Sequence, residues 1–253
     1  MKFNTKGSPF KKYETYDFTL DIWLKYWYPT ICNYLDIILE EDVRALNTVI
    51  KEYKSNCSQE EIKKIIHNRD IYALGAGNNL KTEFDDYVLN TENKDNVLLS
   101  ADGATTYAMS CGIVPKIIVT DLDGKILDQL KAQNEGAILA VHVHCDNIDI
   151  VMKNMSSICN GKFIITTQTY PIQGSYNFLG FTDGDREICL STSLSARRIY
   201  LLGYDFGPLV GKFSKTYSLD KIKKEKKLKK FLIAKSVINW CTNSGQKIDF
   251  FRK

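Results

Sequence analysis

Six short apolar runs, separated by helical stretches, constrain the fold of this chain more than any other feature. The runs occupy residues 70–75, 96–101, 116–121, 137–144, 162–167 and 198–203. Such alternation is typical of a parallel sheet covered by helices on both faces. A helix that begins near Thr105, together with segments 125–134 and 146–158, supplies three of the crossovers. The sequence therefore predicts an α/β fold of three layers, with a mostly parallel, Rossmann-like sheet.

The segment before this pattern, from about residue 18 to residue 68, is predicted to be helical. Apolar side chains recur there at spacings of three and four, with Pro29 as an early interruption. Its aromatic residues form either a ligand platform or a packing surface, and their helical spacing favours packing. They are Trp23, Tyr26, Trp27 and Tyr28. We therefore expect a helical N-terminal region at 1–68 and an α/β domain at 69–253.

Composition excludes several classes of protein. Of the 253 residues, 44% are hydrophobic and 25% are charged, which is normal for a globular chain rather than a disordered one. The seven cysteines include no C-x-x-C pair, and their odd number favours reduced thiols in the cytoplasm over a disulfide framework. The N-terminus lacks an apolar signal-peptide core, and no apolar run reaches ~18 residues, so we expect no membrane span.

The charge distribution gives little reason to expect a nucleic-acid partner. The formal net charge is only +4, although the segment KIKKEKKLKK at 221–230 concentrates lysine. A solvent-exposed helix face is the favoured interpretation of that segment. We therefore expect neither nucleic acid nor a membrane as a partner, while a homo-oligomer is compatible with the sequence.

Polar residues and glycines follow the predicted strands at their carboxyl ends, where parallel sheets bind ligands. In the segment TDLDG, Asp121 and Asp123 follow an apolar run and are separated only by Leu122. In extended chain, residues two apart point to the same side at about 6–7 Å, so both carboxylates face one space. Two like charges so close favour a cation between them, and oxygen ligands favour Mg²⁺. The sequence therefore predicts a magnesium site.

Two glycine-containing segments follow the first two predicted strands. In GAGNN, Gly75 and Gly77 allow backbone amides to approach an anion at a helix N-terminus. The segment lacks the G-x-G-x-x-G spacing and the Lys-Ser/Thr of a P-loop, so phosphate contact and a tight structural turn both stay open. In ADGA, Asp102 either lines the site or caps the helix that begins near Thr105.

The segment HVHCDN places two imidazoles on one face of a strand. His142 and His144 form a His-x-His pair, with Asp146 and Asn147 just beyond. Zinc binding is one interpretation of the pair. Because no third histidine or cysteine motif lies near the pair in the sequence, we favour hydrogen bonds from the imidazoles to anionic oxygens, with Asp146 as a further metal acid. Cys145 is expected to be a small buried filler.

Two further segments carry groups suited to phosphate or to a heterocycle. TDGDR offers the carboxylates of Asp183 and Asp185 and the guanidinium of Arg186, which suits phosphate oxygens or holds a neighbouring acid. A salt-bridged turn is the alternative interpretation. In TTQ, Thr166 and Gln168 offer hydrogen-bonding groups that suit the polar edge of a heterocycle.

These segments together resemble a known family. GAG, ADGA, GIVPKIIVTDLDG, HVHCDN, TTQ, FTDGDR and GYDFG, spanning roughly 72–207, strongly resemble the archaeal 6-hydroxymethyl-7,8-dihydropterin pyrophosphokinases, a family also called MptE-like. ADGA and TDLDG also resemble the core of thiamine pyrophosphokinases, whose G-D-[FL]-D-S motif holds magnesium. The chain departs from the family pattern at Asn78, Lys116 and Cys145. None of these departures removes an acid from the predicted metal site.

The resemblance implies a Mg²⁺-dependent enzyme that transfers diphosphate from ATP to the hydroxymethyl group of a reduced pterin, in folate or methanopterin-type biosynthesis. It implies Asp121, Asp123 and Asp146 as metal ligands and Arg186 as a catalytic residue that grips phosphates. The residues implied to contact nucleotide or pterin are Gly75, Gly77, Asn78, Asp102, His142, His144, Asn147, Thr166, Gln168, Thr182, Asp183, Asp185 and Lys212.

Two alternatives stay open at this point, and the second belongs to a different class of protein. A thiamine pyrophosphokinase would share the metal acids, but the segments HVHCDN, TTQ and FTDGDR argue against it. A non-catalytic nucleotide-binding domain would keep GAG yet tolerate loss of the acids, all of which are present here.

Overall fold

The computed structural model describes residues 2–90, 96–206 and 221–251, and these form a single sheet of eight parallel strands. The strand order is β6-β5-β4-β3-β2-β1-β7-β8, with every neighbouring pair parallel. The strands are β1 (Asp70–Leu74), β2 (Val97–Ala101), β3 (Ile117–Thr120), β4 (Ile138–His142), β5 (Phe163–Thr166), β6 (Ser175–Tyr176), β7 (Arg198–Leu202) and β8 (Ile248–Phe250). The predicted α/β architecture is confirmed.

Helices cover both faces of the sheet and supply the crossovers that parallel strands need. They are α1 (Leu20–Ile22), α2 (Tyr28–Leu35), α3 (Leu39–Glu52), α4 (Gln59–Ile66), α5 (Leu80–Asn90), α6 (Ala104–Ser110), α7 (Ile126–Asn134), α8 (Ile148–Ile158), α9 (Asp183–Ser193) and α10 (Lys221–Asn243). Short 3₁₀ helices occupy Lys11–Thr15 and Cys145–Asn147. No helix within the described ranges is long and apolar enough to cross a membrane.

Alternate side chains of the central strands enter two different hydrophobic layers. Ile118 and Ile165 pack with α3, α7 and α8, whereas Ile117 and Ile164 pack with α2, α4, α9 and α10. Burial on both faces explains why these strands read as continuous apolar runs rather than alternating ones. The three-layer arrangement leaves the carboxyl ends of the strands at one edge of the sheet.

The predicted helical region before residue 68 is confirmed by α1 to α4, but Pro29 does not interrupt it. A π-helical segment, Trp23–Trp27, joins α1 directly to α2, and the amide of Tyr28 bonds the carbonyl oxygen of Trp23. Pro29 then lies in the first turn of α2. The wider π turn explains how the helix continues past a residue without an amide hydrogen.

The N-terminal aromatic residues pack as predicted. Trp23, Trp27 and Tyr28 are fully buried, and the rings of Trp27 and Trp240 stack with their centroids 5.0 Å apart. These contacts place α1 and α2 in the same hydrophobic cluster as α9 and α10. The two regions of the chain thus share a core, and the domain boundary at residue 68 stays a prediction.

Candidate active site

The two acids of TDLDG lie on a tight turn after β3. The strand ends at Thr120, and Leu122 takes a left-handed conformation with φ +66° while its side chain is fully buried. Its amide donates to Thr120 Oγ1 at 2.9 Å, and the amide of Asp123 donates to Asp121 Oδ1 at 3.2 Å. The expected convergence of the acids is found, but a turn rather than extended chain produces it.

Asp102, at the end of β2, completes this acidic group. One oxygen from each of Asp102, Asp121 and Asp123 lies within 4.8 Å of the others. Asp102 Oδ1 accepts hydrogen bonds from Thr120 Oγ1, from the Gly124 amide and from the Gln129 side chain, at 2.8, 3.2 and 2.9 Å. The helix-capping interpretation is not supported, because α6 starts at Ala104 without a side-chain cap. We refer to Asp102, Asp121 and Asp123 as the acid triad.

A fourth carboxylate, that of Asp183 in the first turn of α9, lies close enough to the acid triad to sense its charge. Burial and then Asp121 raise the pKa of Asp183 well above its usual range, with smaller contributions from Asp102 and Asp123. The pKa of Asp102 rises to about 7, because of burial first and then Asp123 and Asp121. An all-oxygen set that repels itself in this way fits a hard divalent cation such as Mg²⁺.

Asp146 is the predicted metal acid that the structure does not bring into this group. Among the described residues, its carboxylate belongs to no cluster of three metal-binding side chains. The residue is exposed, and its amide donates to His144 Nδ1 at 3.2 Å. A role for Asp146 in metal binding therefore needs a rearrangement of this loop.

The loop after β4 is tied to the acid triad by Asn147. This buried side chain donates to the carbonyl oxygens of Asp121 and His142 at 2.9 and 2.7 Å, and it accepts from the amide of His144 at 2.9 Å. His144 Nε2 consequently lies 3.6 Å from Asp121 Oδ2. Asn147 thus holds one predicted site residue against another.

His142 is the more deeply buried of the two histidines in HVHCDN. Burial lowers its pKa well below the usual range, and the charges of Arg186 and His144 lower it further. Its Nδ1 lies 3.1 Å from Thr166 Oγ1, while Nε2 is buried and has no hydrogen-bond partner among the described residues. The residue lines a cavity of only about 10 Å³. A heterocycle does not fit in a cavity of that size.

The segment TDGDR divides into a cap and an ion pair at the start of α9. Asp185 accepts from the amides of Phe181 and Thr182 at 2.7 and 2.8 Å, which stabilises the helix terminus. Arg186 Nη1 donates to Asp183 Oδ1 at 3.1 Å. The interpretation in which Arg186 holds a neighbouring acid therefore fits the geometry.

Gln168 links Arg186 to Asp42, a residue of α3 that the sequence did not single out. Arg186 Nη2 donates to Gln168 Oε1 at 3.0 Å, and Gln168 Nε2 donates to Asp42 Oδ2 at 2.6 Å. Asp42 belongs to no motif, but Ala45, Leu46 and Val49 follow it at helical spacing and are buried with it. A carboxylate on the apolar stripe of α3 was the signal that could have identified it.

A second cluster, Asp42, His144 and Cys145, also has ligand atoms within 4.8 Å of one another. Both oxygens of Asp42 already accept hydrogen bonds, one from the Cys145 amide at 2.7 Å and the other from Gln168. Burial, followed by the charges of Asp42 and Asp146, raises the pKa of Cys145 to about 12. Because both Asp42 oxygens are occupied by donors, this cluster is less suited to zinc than a set of free ligands.

The GAG segment forms a tight turn against the end of β7. The amides of Gly75 and Gly77 donate to carbonyl oxygens at the end of β7, both at 2.8 Å, and the amide of Asn78 donates to Asp205 Oδ2 at 2.7 Å. A Cβ atom at Gly77 would lie 2.4 Å from the Gly203 carbonyl oxygen. This geometry favours the structural turn over an anion site built from these three amides.

Lys212, the predicted phosphate-contacting lysine, lies outside the described residues.

Together these contacts define an α/β protein with an acidic site at the carboxyl edge of a parallel sheet. Residues 47–211 match the model of the 6-hydroxymethylpterin diphosphokinase MptE-like family. The chain belongs to this family, as three curated relatives also indicate.

The relatives are archaeal proteins named 6-hydroxymethyl-7,8-dihydropterin pyrophosphokinase. The protein from Pyrococcus furiosus is 36% identical over 227 residues, which cover 88% of this chain and 94% of the relative. The protein from Methanothermobacter thermautotrophicus is 32% identical, with 89% and 96% of the two chains covered. The protein from Methanocaldococcus jannaschii is 32% identical over 79% of this chain and 85% of its own length.

Proposed function

We propose that this protein transfers a diphosphate from ATP to the hydroxymethyl group of 6-hydroxymethyl-7,8-dihydropterin, with Mg²⁺, yielding AMP and the pterin diphosphate. The acid triad at the sheet edge carries this proposal, because it offers the oxygen ligands that such chemistry requires. Family membership and the names of the relatives support the choice of acceptor. We also propose a cytoplasmic role in folate or methanopterin-type cofactor synthesis.

In the proposed reaction, the hydroxymethyl oxygen forms a bond to the β-phosphorus of ATP, and the bond from that phosphorus to the α–β bridging oxygen breaks. AMP leaves with the bridging oxygen, and the hydroxyl proton passes to solvent. Asp102, Asp121 and Asp123 would hold Mg²⁺, which would supply positive charge against the phosphate oxygens when bound. The protein therefore contributes mainly position and electrostatics.

The surrounding residues keep the acids in place. Asn147 fixes the turn that carries Asp121, and Arg186 fixes Asp183 beside the acid triad. Lys212, in a glycine-rich segment, stays the candidate for gripping phosphates from the other side. Homo-oligomerisation also stays a prediction.

The decisive experiment measures AMP release from ATP and Mg²⁺ with the reduced pterin and, separately, with thiamine. A site built for the polar edge of a pterin leaves its own groups unpaired with thiamine, at about 1–3 kcal/mol per group. We expect kcat/KM to be at least ~100-fold higher with the pterin, a difference of about 2.7 kcal/mol.

Equal rates with the two alcohols would contradict the pterin assignment. If neither is used but ATP binds in a Mg²⁺-dependent way, the acid triad keeps its role and the acceptor is wrong. A protein that does not bind ATP at all would overturn the enzyme hypothesis itself.

A further inference from the structure

Asp42 connects the N-terminal helices to two loops at the carboxyl edge of the sheet. The residue lies in α3 and is only 1% exposed. Its Oδ1 accepts from the amide of Cys145, in the loop after β4, at 2.7 Å. Its Oδ2 accepts from Gln168, in the loop after β5, at 2.6 Å and also from the hydroxyl of Tyr28. One carboxylate thus fixes both loops.

The contact with Asp42 determines which way the Gln168 amide faces. Because a carboxylate only accepts hydrogen bonds, Gln168 has to present Nε2 to Asp42 and Oε1 to the opposite side. Oε1 there accepts from Arg186 Nη2 at 3.0 Å, and Arg186 Nη1 bonds Asp183 at 3.1 Å. The backbone of Gln168 is also held, since its carbonyl oxygen accepts from Trp23 Nε1 at 2.9 Å.

We infer that Asp42 is a positioning residue that orients Arg186 through Gln168 and thereby holds Asp183 beside the acid triad. The catalytic consequence of this inference rests on the proposed function. It assigns the N-terminal helices a part in building the site. Asp42 also precedes the range 47–211 matched by the family model, so that match does not include it.

The substitution Asp42→Asn tests this inference with little change in volume. The introduced asparagine would accept from the Cys145 amide with its oxygen and present its NH₂ group to Gln168. Gln168 then has to turn its amide, which directs its own NH₂ group at Arg186 and removes the acceptor of that guanidinium. Adding Gln168→Glu restores acceptors on both sides and returns the net charge of the pair to its original value.

Two variants complete the set. Glu14→Gln is the matched control, because Glu14 is also a buried carboxylate of the N-terminal region and accepts hydrogen bonds from Thr5 and Asn239. Gln168→Glu alone places two carboxylates against each other and should impair the site. Thermal unfolding of every variant shows which ones are folded at the assay temperature.

The first measurement uses the protein without substrates. The ¹⁵N–¹H resonance of Arg186 Nε, assigned by its loss in Arg186→Lys, should shift or broaden in Asp42→Asn. It should stay unchanged in Glu14→Gln and return towards its original position in the double variant. An unmoved resonance in folded Asp42→Asn would overturn the inference, whatever reaction the protein catalyses.

The second measurement is kcat for AMP formation at saturating substrates. We expect Asp42→Asn to lower kcat by about 10- to 100-fold, because small displacements of site groups have effects of this size. The double variant should regain most of the loss, and Glu14→Gln should lose stability without losing kcat. Unchanged kcat in folded Asp42→Asn would refute a catalytic consequence. If the unsubstituted protein releases no AMP, the proposed function fails, and the Arg186 resonance alone decides the inference.

Discussion

The carboxylate of Asp102 lies directly against the backbone of Gly124. The Gly124 amide donates to Asp102 Oδ1 at 3.2 Å, and a Cβ atom at this position would come within 2.5 Å of Oδ2. Glycine is therefore required beside the acid triad for lack of space rather than for an unusual φ angle. The contact allows the position of Asp102 to be changed without changing its charge.

Gly124→Ala should displace the Asp102 carboxylate and lower AMP formation by about 10- to 100-fold. The control is Gly136→Ala, at a position with φ +106° where an added Cβ atom would meet nothing within 4 Å. That control should lose about 1 kcal/mol of stability through backbone strain and keep its turnover. Steady-state kinetics and thermal melts compare the two, and equal activity losses would contradict the predicted role of the contact.

Asp121→Asn or Asp123→Asn should lower turnover by orders of magnitude while the fold persists. Removing one like charge relieves repulsion in the acid triad, so the protein without metal should not be less stable. Asp149→Asn, on the exposed surface of α8, is the matched control and should behave like the original protein. AMP assays and thermal melts test both halves. Near-normal turnover in either triad variant would remove that acid from the proposed chemistry.

The sequence and the geometry favour different residues as the third metal ligand beside Asp121 and Asp123. The sequence favours Asp146, whereas the geometry favours Asp102. In Asp102→Asn, the oxygen that accepts from Thr120, Gly124 and Gln129 can be retained, while the other oxygen becomes NH₂. We expect this variant to need far more Mg²⁺ for half-maximal rate than Asp146→Asn. A Mg²⁺ titration of both decides the matter, and an equal effect in Asp146→Asn would show that its loop moves into the site.

The sequence predicted the sheet because its central strands are covered on both faces and therefore read as apolar runs. It did not reveal β6 and β8, since two or three residues show no periodicity of their own. At the site, the sequence predicted that Asp121 and Asp123 converge, but the turn that brings them together replaces the extended chain that was expected. The contacts of Asp42 with residues more than 100 positions away depend on tertiary packing, which no local pattern encodes.

The roles of the polar residues after the strands could not be predicted from the sequence, because residue type alone does not tell whether a side chain contacts a ligand or the protein. Asn147 and Gln168, predicted to meet a heterocycle, bond protein groups on both sides of their amides. Gly75 and Gly77 similarly serve the close approach of β1 to β7. Their roles as ligand contacts stay predictions.

The purified protein should contain no stoichiometric zinc. Both oxygens of the Asp42 carboxylate already accept hydrogen bonds, from the Cys145 amide and from Gln168, so a zinc ion would have to displace these donors. Elemental analysis should find well below one zinc per chain, and a zinc-selective chelator should not reduce activity in excess Mg²⁺. One tightly held zinc per chain would instead support a metal role for His142 or His144.

Glu187, a buried residue of α9, should make stability depend on pH. Burial raises its pKa to about 8, although a hydrogen bond from Tyr204 opposes this. The folded state therefore holds a proton that the unfolded chain releases near its usual pKa of 4.5. The stability that Glu187 contributes by holding this proton is complete below pH 4.5 and is lost as pH rises towards 8.

Glu187→Gln removes that titration and keeps an oxygen that can accept from Tyr204. The stability of the original protein relative to this variant should fall by on the order of 2 kcal/mol between pH 5 and pH 8. Urea unfolding at both pH values measures the difference, with the exposed Glu52→Gln as the matched control. A constant difference between the original protein and Glu187→Gln would show that Glu187 is ionised throughout. An ionised Glu187 would need a further hydrogen-bond donor for its second oxygen, Oε2, which has no hydrogen-bond partner among the described residues.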